Sequence, residues 1–322
     1  MLQRLTRQLP LWARPEHPVL RYELGKVQRA PRRVRLLRAL GIILLALALV
    51  VGSYVVATGF LTRPLGQSLT ESLSAIVLYP LLILQVITRV AAVGLTANVV
   101  SEEARRQNWD NIRATPTGAE LALRASWAAV FYRLRALLGI ILVVRIILIF
   151  GILYDLTAFQ GRYLDLLING ILPEVPLVAG VLLLSLLMTA SLLLPITGIG
   201  FDAALGLLLS TFVRQRMYNS LLLMLIILFR IALVIGLAYL VSQFVNGALD
   251  VSDSTAWLLV GAYGAMGDWG LAFLNLGFYG EIWATVPYGI LLGLGLLVYA
   301  MLQAMVTDQL LALAVRRAER RG

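Results

Sequence analysis

The sequence predicts an all-α, polytopic membrane protein with six transmembrane helices, a cytoplasmic amphipathic elbow between helices 2 and 3, and an N-terminal interfacial helix. Three observations carry this. Apolar runs long enough to cross a bilayer, about 20 residues each, recur along the 322-residue chain. Charged side chains make up 14% of it, against about 25% in soluble domains. The basic residues gather at the ends of the apolar runs, which is the signature of membrane topology and not of nucleic-acid binding.

Residues 1–36 form a basic cytoplasmic lead. It is too long for the n-region of a signal peptide, and no small-residue cleavage site follows it. Within it, Pro18 to Val27 reads as a short helix. Pro18 suits a first helical turn, and Leu20, Leu24 and Val27 recur at i, i+4 and i+7. With arginines on its other face, such a helix is expected to lie on the inner membrane surface.

The transmembrane domain, 37–315, holds spans near 37–61, 73–100, 137–158, 175–213, 218–245 and 282–315. The fourth run is long and contains Pro195, Gly198 and Gly200, so a kink or two half-helices is expected there, and a hidden seventh crossing is the alternative. The outer loop, 246–281, is apolar, glycine-interrupted and free of basic residues. Short helices dipping into the outer leaflet fit it better than two further spans. Residues 316–322 are a basic tail.

Orientation follows from Arg and Lys. Residues 1–38 hold ten of them, 101–135 hold six, Arg214 and Arg216 add two, and the tail adds four, together 22 of the 27. The opposite side has only Arg63 and Arg162. Six spans with both termini in the cytoplasm satisfy the positive-inside rule at every turn. The expected location is therefore the cytoplasmic (inner) membrane.

Several function classes fall away on composition. The chain has no Cys, which removes disulfides, thiolate metal sites and cysteine nucleophiles. His17 is the one histidine, so paired-histidine haem or an HExxH zinc site cannot arise from this chain alone. Lys26, the one lysine, follows Gly25 but precedes Val27, so there is no P-loop. No catalytic residue, metal or cofactor is expected in the chain itself.

The stretch between the second and third spans is unlike its surroundings. Trp109 and Ile112 lie three apart on one helical face, with Arg105, Arg106, Asp110 and Arg113 around the rest. Pro116 is expected to stop that helix near Ala114. Thr117 to Glu120 has the pattern of a capping box opening the next helix. On periodicity alone this is an amphipathic connector anchored by Trp109 in the headgroups, or a docking element for a cytoplasmic partner.

Here the chain resembles the membrane subunits of ABC-2 type transporters. Those subunits carry an acidic–Arg–x–x–x–Trp–(Asp/Glu)–x–(Ile/Leu)–x–x–Thr–Pro element between spans two and three. The matching residues are Glu103, Arg105, Arg106, Trp109, Asp110, Ile112, Arg113, Thr115 and Pro116. His17-Pro-Val-Leu-Arg-Tyr-Glu-Leu24 is similar to the family's opening, with His17 where Asn is usual. Ala204 to Arg214 is similar to its exit from span four.

The resemblance implies a permease working as a homo- or heterodimer with a second permease subunit. Separate ATP-binding cassette subunits would hold the ATP and Mg. The elbow would then be the coupling element, with Trp109 and Ile112 as apolar anchors and the charged residues as rim.

Arg89, Arg145 and Arg230 fall inside spans, about 14–20 Å from their cytoplasmic ends at 1.5 Å per residue. Asp202 lies at similar depth and is expected to pair with them, Arg230 first. Such charges either hold helices together or form a positive cavity for an anionic group, with membrane lipids among the partners. Three functions follow: a permease subunit of an ATP-driven exporter, an accessory subunit of a larger respiratory or photosynthetic complex on the same scaffold, or an ion-coupled transporter using Asp202. The last lacks the paired broken helices of an inverted repeat.

Overall fold

The computed structural model describes residues 10–25, 69–105, 107, 109–115, 117–157, 174–212, 216–245, 247–267 and 289–320. The first expected span, 37–61, lies outside the described residues, as do residues 268–281 of the expected outer loop and 282–288 at the start of the expected sixth span. Among the described residues the chain is helical, with no strand. After a 3-10 turn at Leu11–Ala13 come α1 (Pro18–Gly25), α2 (Leu69–Thr96), α3 (Val99–Arg105), α4 (Trp109–Ala114) and α5 (Gly118–Thr157). Then follow α6 (Leu177–Phe212), α7 (Arg216–Val245), α8 (Asp253–Met266), a 3-10 turn at Gly289–Leu291 and α9 (Leu292–Arg320). Five of these segments are long and apolar enough to cross a membrane: Pro80–Ala104, Gly118–Tyr154, Leu177–Phe212, Met217–Phe244 and Gly289–Arg320.

The protein is thus a multi-pass helical membrane protein, and α6 is its axis. It packs on α9, α2 and α5. Helices in lipid gain little from burying leucine against leucine, so close backbone approach and polar bonds hold them together. The α6–α9 crossing shows this at Gly293. A methyl group there would lie 2.7 Å from both the Leu183 carbonyl and the Leu187 amide nitrogen. At the end of the bundle that carries Arg317 and Arg320, called here the basic end, the Arg317 guanidinium sits 3.8 Å over the Phe212 ring.

The fourth run is one continuous helix through Pro195, not two half-helices, and makes a single crossing. The third span starts earlier than its apolar run. α5 has 40 residues, about 60 Å at 1.5 Å per residue, roughly twice a bilayer core. Its first half packs instead against the N-terminal segment. Leu20 and Ala13 bury themselves against Ala125, Ala128 and Ala129. The Tyr132 hydroxyl donates to the Ala13 carbonyl at 2.9 Å, and Arg133 donates to the Glu23 carbonyl at 2.8 Å.

The apolar face of α1 is therefore spent on α5, where small alanines accept it, and Leu20 is fully buried there. The expectation of a helix laid on the membrane surface by that face is corrected accordingly. Val27 lies outside the described residues. In the expected outer loop, α8 is too short to span at about 21 Å and packs on α7 and α9. Ala256, Val260 and Tyr263 are buried there.

α7 is the least embedded of the five, with none of its most apolar window buried. Two polar clamps attach it to the rest. The first is Asn219, fully buried, whose amide donates to the Ala97 carbonyl and, at 3.0 Å, to the Asn98 side-chain oxygen. It caps the end of α2, where a backbone acceptor has run out of helical partners. The second clamp is Arg230.

Candidate functional site

Asp202 sits on the buried face of α6 with no exposed surface. Each of its oxygens takes one guanidinium. Arg89 of α2 donates Nε–H to Oδ2 at 2.7 Å, and Arg230 of α7 donates to Oδ1. The pairing expected for Arg230 is present, and Arg89 joins it. Three helices are stitched through one carboxylate.

The neighbouring glycines serve this packing and do not break the helix. A methyl group at Gly198 would come within 3.0 Å of the Arg89 guanidinium, so its absence makes room for the ion. The Gly200 carbonyl accepts the indole N–H of Trp127 at 2.9 Å.

Arg89, Asp202 and Arg230 line a cavity of about 290 Å³ between α2, α6 and α7. Its other walls are almost wholly apolar, including Leu82, Val86, Val90, Ile227 and Ile231. Val86 and Val90 on one side and Ile231 and Ile235 on the other also stand at the exposed surface of the bundle. Among the described residues the cavity is therefore a groove at the outer surface of the bundle, with its charges on the wall.

Arg145 is elsewhere. It is buried to 1% exposure and donates to the Ser191 carbonyl. Ser191 is four residues before Pro195, so it is the carbonyl that proline leaves without a helical N–H donor. Arg145 replaces that donor, as groups freed by a proline inside a membrane must be satisfied by a neighbour. The expectation that Arg145 adds positive charge to a cavity shared with Arg89 is corrected: it belongs to the scaffold.

This assignment predicts a coupling. Arg145→Met is expected to destabilise the protein by about 1–3 kcal/mol, the penalty of a buried unsatisfied carbonyl. The loss should shrink in a Pro195→Ala background, where the backbone N–H returns. Thermal unfolding of the four proteins of that cycle in detergent checks it; equal losses in both backgrounds would refute the pairing.

The stretch between α2 and α5 builds a second locus. Trp109 opens α4 and points into the bundle, 5% exposed, against Val100, Leu123, Leu207, Leu311 and Ala314. Ile112 packs partly on the same cluster. Trp109 thus anchors α4 to its own chain, a correction to the expectation that it forms a free apolar knob for a partner. What α4 leaves outward is polar and small: Asp110, Asn111 and Ala114, then Thr115 beyond its end. Glu103 is buried on α3. Arg106 and Pro116 lie outside the described residues, as do the side chains of Arg105 and Arg113.

Two non-glycine residues, Gln107 and Thr117, take left-handed φ values of 58° and 60° at the joints either side of α4. Thr117 therefore lacks the extended backbone of a capping-box residue, although its carbonyl accepts the first helical bond from Leu121 at 2.9 Å. Glu120 pairs forward with Arg124 at 2.9 Å.

Sequence reasoning missed Asp308. It lies inside the sixth run, 12 residues before Arg320, at a depth like that of Asp202, which is 10 residues before Phe212. It lines a second cavity of about 350 Å³ with Trp12, Arg124, Trp127, Phe131 and Thr197. Its position within a span was the available signal. Among the described residues no three His, Asp or Glu side chains converge to hold a metal.

No family model, curated protein or solved structure matches the chain.

Proposed function

We propose that the chain is the membrane-spanning permease subunit of an ATP-driven ABC-2 type exporter. It would sit in the cytoplasmic membrane with both termini inside. The 101–120 elbow would couple it to a separate ATP-binding cassette subunit, which supplies ATP and Mg. A second permease subunit would complete the unit.

One observation carries this reading. Trp109 ties α4 to the basic ends of α5, α6 and α9, while the outer edge of α4 stays exposed. A push on that edge is delivered to three spanning helices at once, which is what a coupling element between an ATPase and a pore requires. The arginine-rich end supports a cytoplasmic position for the same edge by the positive-inside rule.

The test is purification of the tagged chain in mild detergent, with mass spectrometry of what remains bound. A roughly stoichiometric ATPase bearing Gly-x-x-x-x-Gly-Lys-Ser/Thr is the expected result. A stable complex holding electron-transfer subunits and no ATPase would replace this reading with the accessory one.

A further inference from the structure

We propose that the cavity between the N-terminal segment, α5, α6 and α9 is a binding site for an organic cation of the quaternary ammonium class. Its head would sit against Trp12, Trp127 and Phe131, facing Asp308. This does not depend on the chain's working with an ATPase.

Ring faces select a cation. Trp12 and Trp127 lie with centroids 6.3 Å apart and planes inclined by 59°, and Trp127 meets Phe131 edge-on at 4.9 Å. Rings inclined in this way make a concave corner and not a stack. A corner filled by its own side chains would be ordinary packing, but this one lines a cavity of about 350 Å³, within the range of ligand pockets. Each ring carries a negative face that attracts a poorly hydrated cation. The same preference is visible inside the chain. The Arg124 guanidinium lies 5.9 Å from the Trp12 centroid while pairing with Glu120 at 2.9 Å.

Hydrogen bonding narrows the class. The Trp127 indole donates to the Gly200 carbonyl at 2.9 Å, the Thr197 hydroxyl to the Gln303 side-chain oxygen at 2.8 Å, and the Thr307 hydroxyl to the Gln303 carbonyl at 2.7 Å. Those donors are spent within the wall, which leaves a ligand ring faces and acceptor oxygens. Asp308 is the one carboxylate among the described lining residues. A primary ammonium brings three N–H donors and needs acceptors converging on them. A trimethylammonium head has none to satisfy, so one carboxylate beside the rings suits it. The selection lies in ring faces and acceptors, not in a surplus of negative charge.

The cavity also has a way in. Ala304 and Asp308 stand exposed on α9, on the face that carries the exposed Met301 and Met305. A ligand with an apolar part can follow that face to the rings.

The experiment uses the purified full-length chain in a non-ionic detergent and benzyltrimethylammonium carrying a photoactivatable diazirine on its ring. The neutral comparator has carbon in place of the quaternary nitrogen, and labelled peptides are located by mass spectrometry. The cation is expected to label α5 and α9 about tenfold more than the neutral probe, in the range of a desolvated cation–π contact. Trp12→Leu should cut that preference to about threefold or less, and Trp12→Phe should keep most of it. Asp308→Asn should lower it as well, with Asp308→Glu restoring part.

Ala304→Trp starts from an exposed position, fills the cavity without touching a charge, and should abolish labelling by both probes. It keeps the test valid if Trp12→Leu fails to fold. Equal labelling by the two probes, or labelling unchanged in Ala304→Trp, would overturn the site. A preference untouched by both Trp12→Leu and Asp308→Asn would overturn the assignment to rings and carboxylate. Displacement of the probe by dodecylphosphocholine at concentrations where unlabelled benzyltrimethylammonium fails would overturn the free cation in favour of a lipid headgroup. ATPase retention is read in a separate purification, so either proposal can fail while the other stands.

Discussion

Asp202→Asn is expected to destabilise the protein by about 3–5 kcal/mol, the usual loss when one partner of a buried ion pair is removed. Asparagine nearly preserves the volume, so packing is not what is lost. One oxygen becomes an NH2 group, a donor facing a donor, and two guanidiniums lose the carboxylate they share beside a wall of leucine, valine and isoleucine. α7 suffers most, because it has little buried apolar surface and is held partly by Arg230.

The measurement is the temperature at which the folded peak disappears in size-exclusion chromatography, in neutral detergent. The expected fall is on the order of 10 °C. Arg230→Gln in the Asp202→Asn background should recover part of it by removing the surplus cation. A fall of about 2 °C or less, or a double variant worse than the single, would show that the carboxylate does not hold the three helices together.

On the proposed permease reading, Gly118→Ala is expected to cut retention of the partner ATPase about tenfold or more while leaving the spanning bundle nearly as stable as before. A methyl group on Gly118 would lie 2.0 Å from the Ile112 carbonyl oxygen and 2.1 Å from the Thr115 hydroxyl. That carbonyl already accepts the Thr115 hydroxyl at 2.7 Å and the Thr115 amide at 3.3 Å. The turn therefore has no slack, and the added carbon must drive α4 away from the first turn of α5.

The variant removes no side chain that a partner would touch, so it isolates the geometry of the elbow. Trp109→Ala does not, since deleting a buried tryptophan costs about 3–5 kcal/mol in packing and would damage fold and coupling together. Asp110→Arg is the converse control: an exposed charge whose reversal should spare stability and weaken retention. Full retention in both Gly118→Ala and Asp110→Arg would overturn the proposed coupling role of this segment.

Much of this was legible in the chain. Bilayer thickness imposes a minimum length on every apolar run, so the runs near 73–100, 137–158, 175–213, 218–245 and 282–315 mark helices before any contact is known. Lipid also makes an internal charge expensive, which picked out Arg89, Arg145, Asp202 and Arg230. The pairing of Asp202 with Arg230 followed from two adjoining antiparallel spans at matched depth. Asp308 could have been found by the same rule, since it too falls inside an apolar run.

Which of those charges belong together was not legible, because an apolar span has no strong periodicity to say which way a side chain points. Arg145 and Arg89 look alike in the sequence, each a lone arginine among leucines, isoleucines and valines. One faces the Ser191 carbonyl that Pro195 leaves open, and the other faces Asp202 across the space at Gly198. Trp109 is the same case outside the spans: its spacing to Ile112 defines a face, but not whether that face meets a partner or the chain's own core. The sequence by itself determined the helices, their lengths and the distribution of charge between their ends, because those answer to the solvent around each segment. Only the tertiary structure decided the partners of each buried polar group, because in a low-dielectric interior an unmet donor or acceptor is satisfied by whichever helix is brought within about 3 Å of it.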